Sequence, residues 1–280
     1  MDIKDLTVVS RMRRADDLAR ILDCRFEKPG GFPDTLNIID TSNIIVYGGF
    51  YNDLILADRL TKYLSGRNVY VLFTGVDICE LQDAAIGARA YYYALLDIFK
   101  RVRVLALGKR AEDELKYLGV EAVGSVILPV EVDCEPDVDR TALITYVPED
   151  GFCGYLYRIP VLKRLAAVKN IVTYGARGGW FSDATEIYRK ALLNIRITRH
   201  DGQPYDVIAM AQMGIQSIVS YCDFPYMVSV ANADSDDVMY GMTLTAINSY
   251  KPDAGEIDEM KIYYKTRYSA ESARRSFECI

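Results

Sequence analysis

The feature that most constrains this chain is a recurring unit. It consists of a short, almost wholly apolar run, a polar or glycine-bearing loop, and a stretch with apolar residues at helical spacing. Residues 43–47, 68–73 and 102–107 are such runs in the first half, and 143–147, 170–174 and 194–198 in the second. A strand that is apolar on both faces has to be covered on both faces, and helical crossovers between parallel strands supply that cover. The pattern predicts an α/β protein built on parallel sheets.

In chain order, residues 6–10 read as a strand and 14–22 as a helix, followed by the loop Pro29-Gly30-Gly31-Phe32-Pro33 and a short apolar run at 36–39. Strand 43–47 ends in Gly48-Gly49 before a helix carrying Leu54, Ala57, Leu60 and Leu64. Strand 68–73 ends in Thr74-Gly75-Val76-Asp77, and one long helix is expected over 80–100, with Tyr91, Tyr92 and Tyr93 read as packing residues. A helix over 110–118 stops at Gly119, and short strands are expected at 120–123 and 125–128. The acidic, aperiodic segment 131–140 reads as a linker. The second series holds a helix with Leu156, Ile159, Leu162 and Leu165, a helix over 183–192, strand 194–198 and the turn Arg199-His200-Asp201-Gly202. A helix with Val207, Ala211 and Gly214, strands 217–220 and 226–230, a helix over 235–250 and a helical tail follow. The expected organisation is an N-terminal domain over 1–133, a C-terminal domain over 141–255, and a tail over 256–280 that packs back on the first domain.

Composition narrows the function. With 50% hydrophobic and 26% charged residues the chain is an ordinary globular one. A net charge of -6 argues against a dedicated nucleic-acid binder. The basic cluster Arg11, Arg13, Arg14, Arg20, Arg25 and Lys28 is either the solvated face of the first helix or a patch for phosphate or a lipid surface. Cys24, Cys79, Cys134, Cys153, Cys222 and Cys279 form no Cys-x-x-Cys pair, so free thiols are expected and no metal site is. No run of 18 apolar residues occurs and Met1-Asp2-Ile3-Lys4-Asp5 does not read as a signal peptide, which points to a cytoplasmic protein, at most peripheral to a membrane. A homo-oligomer stays open.

Four loops fall at expected strand carboxyl ends: 48–52, 74–77, 151–154 and 199–204. Glycines there let backbone N–H groups approach phosphate, and helix N-termini add partial positive charge. None matches Gly-x-Gly-x-x-Gly, and no lysine-bearing P-loop is present, so neither a standard NAD fold nor a P-loop NTPase is supported.

The stretch Ile197-Thr198-Arg199-His200-Asp201-Gly202, with Val207, Ala209-Met210-Ala211, Gly214 and Ile218-Val219-Ser220, resembles the donor-sugar signature of retaining GT-B glycosyltransferases. In that family an acidic residue and glycine are followed after seven positions by a glutamate, then Ala-Met-Ala-x-Gly and an apolar strand. Here Asp201 takes the first acidic position and Ala209 stands where the glutamate is expected. Thr74-Gly75-Val76-Asp77 resembles a Gly-Ser-Asp turn of the family's first domain, and Leu118-Gly119 and Leu128-Pro129 resemble the end of that domain. The short chain is similar to compact archaeal or archaeal-virus members.

The resemblance implies two Rossmann-like αβα domains with parallel sheets facing a central cleft. It implies sugar transfer from a UDP- or GDP-sugar to an acceptor on a glycan, lipid or protein, with retention and with no required cofactor or metal. Asp201 with the backbone of Gly202 and Gln203 would hold the donor's sugar and diphosphate. Arg199, His200, Asp206, Gly151, Arg158, Lys163 and Arg177 would complete the donor site. Asp77 would orient or deprotonate the acceptor, with Gly49 and Gly75 on the acceptor side. Asp206, one turn before Ala209, is the nearest carboxylate able to replace the missing glutamate. That departure also favours an alternative, a nucleotide-sugar binder that does not turn over. A sugar-nucleotide epimerase is the third reading, and its acid/base pair is hard to place with one histidine.

Overall fold

The structure is a computed structural model that describes residues 1–10, 13–29, 39–147, 155–175, 184–221 and 224–280. Gly151, Arg177, Arg11, Cys153, Cys222 and most of the 36–39 run lie outside the described residues. The chain divides into two compact units, Met1–Pro129 with Tyr268–Ile280, and Val130–Arg267.

In the first unit a 3-10 turn, Ile3–Asp5, leads into β1 (Leu6–Val9), α1 (Arg13–Leu22), β2 (Arg25–Glu27), β3 (Asn43–Tyr47) and α2 (Tyr51–Tyr63). Then come β4 (Asn68–Phe73), α3 (Val76–Gly87), α4 (Arg89–Phe99), β5 (Arg103–Leu107), α5 (Lys109–Tyr117) and β6 (Ala122–Val126). The strands form one sheet in the order β2-β1-β3-β4-β5-β6, every pair parallel. Successive strand residues point to opposite faces. Ile44, Val46, Val71 and Phe73 enter one core, and Ile45, Tyr47, Tyr70 and Leu72 enter the other. Burial on both faces is why β3 and β4 are apolar at every position after their first asparagine.

The second unit holds β7 (Ala142–Tyr146), α6 (Ile159–Val168), β8 (Ile171–Tyr174), α7 (Ala184–Arg189), β9 (Ala191–Arg196) and α8 (Tyr205–Gln212). β10 (Ser217–Val219), β11 (Val228–Ser229), α9 (Asp236–Ser249) and α10 (Ala254–Arg267) complete it. Its sheet is also parallel, in the order β11-β10-β9-β7-β8. α11 (Ala270–Glu278) belongs to the first unit. Its Phe277 is 0% exposed in the same core as Leu6, Leu18 and Val126. Arg274 Nε donates to the Ile21 carbonyl at 2.7 Å, and Ser276 Oγ accepts the Ile127 N–H at 3.1 Å.

Several expected boundaries move. The single helix over 80–100 is two, broken where Gly87 ends α3 and Ala88 leaves helical geometry at φ -136. The apolar spacing runs through the break and hides it. Residues 120–128 hold one strand, Ala122–Val126, not two, and the β5–β6 register shift passes over Val123 while Gly124 pairs with Leu105. The helix expected over 183–192 ends at Arg189, and the next strand starts at Ala191 and stops at Arg196, not Thr198. Packing describes only part of the tyrosine triplet: Tyr92 is half-buried and donates to the Leu118 carbonyl, whereas Tyr91 and Tyr93 are exposed. Exposed ion pairs join Arg20 to Asp17 and Arg25 to Asp40, as on a solvated face.

Truncating Phe277 removes the aromatic anchor of α11. The expected cost of Phe277→Ala is about 3 kcal/mol in urea unfolding followed on the first unit; a loss below about 1 kcal/mol would mean that α11 does not complete that core. Burial, reinforced by Asp23, pushes the Cys24 thiol up to about 12, while Cys279 is exposed. At a pH near 8, below the ordinary thiol range, iodoacetamide should modify Cys279 readily and spare Cys24 until the protein unfolds. Equal labelling would contradict this placement.

Candidate functional site

Ligands of open parallel sheets bind at strand carboxyl ends, where the strand order reverses. In the second unit that point lies between β7 and β9. Tyr146, Tyr174 and Arg196 are the last residues of β7, β8 and β9. The 197–204 loop follows Arg196 directly and leads into α8.

Arg196 organises this edge. Its Nε donates to Asp201 Oδ2 at 2.7 Å, its Nη2 to the Tyr157 hydroxyl at 3.2 Å, and its Nη1 stands 3.6 Å from Asp206 Oδ1. The guanidinium lies over the rings of Tyr157 and Tyr146, 4.6 and 5.4 Å from their centroids. Burial works against its charge, but Asp201 and Asp206 outweigh that and hold the arginine more firmly protonated than usual. Burial pushes Tyr157 and Tyr174 up, the Arg196 charge opposing it at Tyr157 and the Asp206 charge adding to it at Tyr174, so both hydroxyls keep their protons.

The carboxylates differ in what they have left to offer. Asp201 also accepts the Gly202 N–H at 3.1 Å, and its side chain is 13% exposed. A carboxylate offers about four lone-pair positions, so Asp201 retains capacity for a ligand hydroxyl. Asp206 is turned inward, accepting from the Tyr174 hydroxyl at 3.2 Å and Asn194 Nδ2 at 3.4 Å. Every residue of α8 from Asp206 to Gln212 is buried, Ala209 included. Position 209 therefore presents no side chain to solvent.

A second group lies on the same edge. Arg158, the residue preceding α6, has left-handed backbone (φ 49) and a side chain only 1% exposed. It donates to Asp236 Oδ1, Asn232 Oδ1 and the Ala233 carbonyl at 3.2, 2.6 and 2.6 Å. Arg199 reaches the same Asp236 oxygen at 2.9 Å and the Asp234 carbonyl at 3.3 Å, and its guanidinium stacks over Tyr155. His200 is buried against Tyr221, with ring centroids 4.7 Å apart. Gly202 and Gln203 are half-buried, and Lys163 is exposed on α6.

In the first unit Asp77 is 1% exposed. Its carboxylate accepts the backbone N–H groups of Gly49, Thr74, Gly75 and Ile78 at 2.7 to 3.1 Å. Burial raises its pKa, and those N–H groups oppose the rise. So occupied, Asp77 ties two strand-end loops together and has little free lone-pair capacity for a proton-accepting role. Gly49 is required for close approach, since a Cβ there would lie 2.4 Å from the Phe73 ring. Glu80, exposed at the rim of a recess shared with Tyr51 and Tyr91, is raised by burial and by the Asp77 charge.

The site residues thus fall into three groups: Asp201 and Asp206 on Arg196, Arg158 with Arg199 on Asp236, and Asp77 with Gly49 and Gly75. Arg196, Tyr157, Tyr174 and Asn194 were not among the expected site residues. The available signal was polar residues at alternate positions, Asn194 and Arg196, in an otherwise apolar strand.

No family model matches the chain, and no curated protein matches it in sequence. Solved structures do. HepE from Anabaena, in complex with UDP and glucose, superposes with a TM-score of 0.69 at 8% identity, covering 99% of this chain and 93% of HepE. The lipopolysaccharide outer core galactosyltransferase WaaB, in its apo form, gives 0.62 at 11% identity over 98% of each chain. A putative UDP-N-acetylglucosamine 2-epimerase from Listeria monocytogenes gives 0.52 at 9% identity over 97% of this chain and 94% of its own. The chain has the GT-B fold. That means two Rossmann-like units, each with a parallel sheet.

Removing one partner of a buried ion pair leaves the others uncompensated, at a cost of about 3–5 kcal/mol. Arg196→Met should therefore lower unfolding stability of the second unit by that order in urea titrations. A change within about 0.5 kcal/mol would mean that the guanidinium does not hold the site together.

Proposed function

We propose that this chain transfers a sugar from a nucleoside-diphosphate donor to an acceptor hydroxyl, with the donor bound at the carboxyl edge of β7, β8 and β9. The observation that carries the reading is Asp201: a partly exposed carboxylate held by a buried arginine at the strand-order reversal of a GT-B unit. Support also comes from the fold shared with HepE, whose complex contains UDP and glucose, and with the galactosyltransferase WaaB.

In this reading Asp201 accepts hydrogen bonds from the donor sugar, and Arg196 fixes its orientation. The bond from the anomeric carbon to the diphosphate oxygen breaks through an oxocarbenium-like state. The acceptor oxygen bonds to the same carbon with retention, and its proton passes to the departing diphosphate. Charge growing on that diphosphate is met by Arg158 and Arg199 beside the N-terminus of α9, without a metal. Lys163, His200, Gly202 and Gln203 belong to the same donor site. Gly151, on a glycine-bearing strand-end loop, and Arg177, a candidate cation for the leaving diphosphate, are kept as donor contacts from the sequence alone. On the acceptor side Gly49 and Gly75 donate to Asp77, which orients the acceptor only through the two loops it braces.

A second reading, donor binding without transfer, is favoured by one observation. Asp206 is committed to Tyr174 and Asn194, and position 209 is a buried alanine, so neither presents a carboxylate for a ribose. Incubation with UDP-, GDP- and dTDP-sugars separates the two. Transfer predicts nucleoside diphosphate release together with a new glycoside in mass spectra, and binding alone predicts a thermal shift without release. No shift and no release with any donor would sink both. Asp201→Asn keeps an acceptor for Arg196 while removing the charge, and is expected to cut transfer about 100-fold without loss of fold. An unchanged rate would remove Asp201 from the site.

A further inference from the structure

The Arg158–Arg199 pair carries a feature that the donor-site reading does not need. Both guanidiniums bind one oxygen, Asp236 Oδ1, at 3.2 and 2.9 Å. Two positive charges share one carboxylate there. Arg158 Nε and Arg199 Nε are buried N–H donors with no acceptor among the described residues. Unmet buried donors are costly, and on two cations they ask for further negative charge. Burial and the Arg199 charge, more than Asp236 restores, hold Arg158 below the ordinary arginine range.

The arginines do not depend on Asp236 for their positions. Asn232 Oδ1 and the Ala233 carbonyl hold Arg158, and the Asp234 carbonyl and the Tyr155 ring hold Arg199. Nor is Asp236 the cap of its helix, because Ser235 Oγ accepts the Val238 N–H. The carboxylate is also the outermost member, 35% exposed over an arginine that is 1% exposed. An anion that rests on preformed cations, on their solvent side, can be exchanged for another.

We propose that Asp236 is the resident anion of an exchange site. Its carboxylate occupies the Arg158–Arg199 pair when the site is empty and gives way to phosphate oxygens of the incoming donor. This rests on the donor-site reading above and adds that Asp236 sets phosphate affinity by competing for the two arginines. A competing carboxylate weakens binding of the donor and of the released diphosphate alike, which favours product departure.

The test is titration calorimetry of the whole chain with inorganic pyrophosphate at fixed ionic strength. Asp236→Asn keeps the shape, removes the competing charge, and is expected to tighten pyrophosphate binding on the order of tenfold. Arg199→Gln in the same background should abolish that gain. Unchanged or weaker binding in a folded Asp236→Asn variant overturns the proposal and leaves a plain structural salt bridge. If the asparagine variant does not fold, Asp236→Ser is read in the same way, since the site predicts the same tightening. Tightening without sugar transfer to any acceptor retains the exchange site and removes the transferase reading. Transfer without tightening does the reverse.

Discussion

One buried guanidinium sets the geometry on which the second unit's carboxyl edge depends. Arg196 ends β9, so the strand itself fixes where the charge sits. A charge in that position is tolerable only if it is paired and hydrogen-bonded. Asp201 comes from the following loop, Asp206 from α8, and Tyr157 from the segment before α6. Each is drawn to the arginine from a different element. The loop that reads as a polar turn in the sequence is therefore a braced one. Asp201 can face a ligand because Arg196 and the Gly202 N–H hold its carboxylate in place.

The same logic, with the sign reversed, describes the first unit. There a buried carboxylate, Asp77, gathers backbone N–H groups from two loops. A saturated carboxylate is a brace, and its neighbour Glu80 is the one left at the rim. The fold thus uses one buried, hydrogen-bonded acid or base side chain per sheet, Asp77 in one and Arg196 in the other, to close loops at the strand ends. In the second unit it adds two more arginines on Asp236 beside them.

Much of this was legible in the sequence because parallel strands buried on both faces leave an unmistakable apolar record, as in residues 43–47 and 68–73. The glycine turns after them were legible for the same reason. What was hidden follows from boundaries. A strand over 194–198 places Arg196 in mid-strand. The strand in fact begins at Ala191 and ends on it. The tyrosines were hidden because aromatic residues at strand ends read equally as core; the register pairs Tyr146 with Tyr174, and Tyr157 reaches Tyr146 from the segment before α6. The sequence marks Arg158 as a candidate donor ligand but not its partners, since Asn232, Ala233 and Asp236 lie more than seventy residues away. Such pairings have no local signature.

The central claim is that a nucleotide sugar sits on the braced edge around Arg196 and Asp201. Hydrogen exchange of the chain with and without a saturating donor, chosen from the sugar-nucleotide panel, tests it most directly. The account predicts slowed exchange in the loop and helix start over residues 197–206 and at the start of α9. Protection confined to the first unit, or none at either segment despite measurable binding, would contradict it.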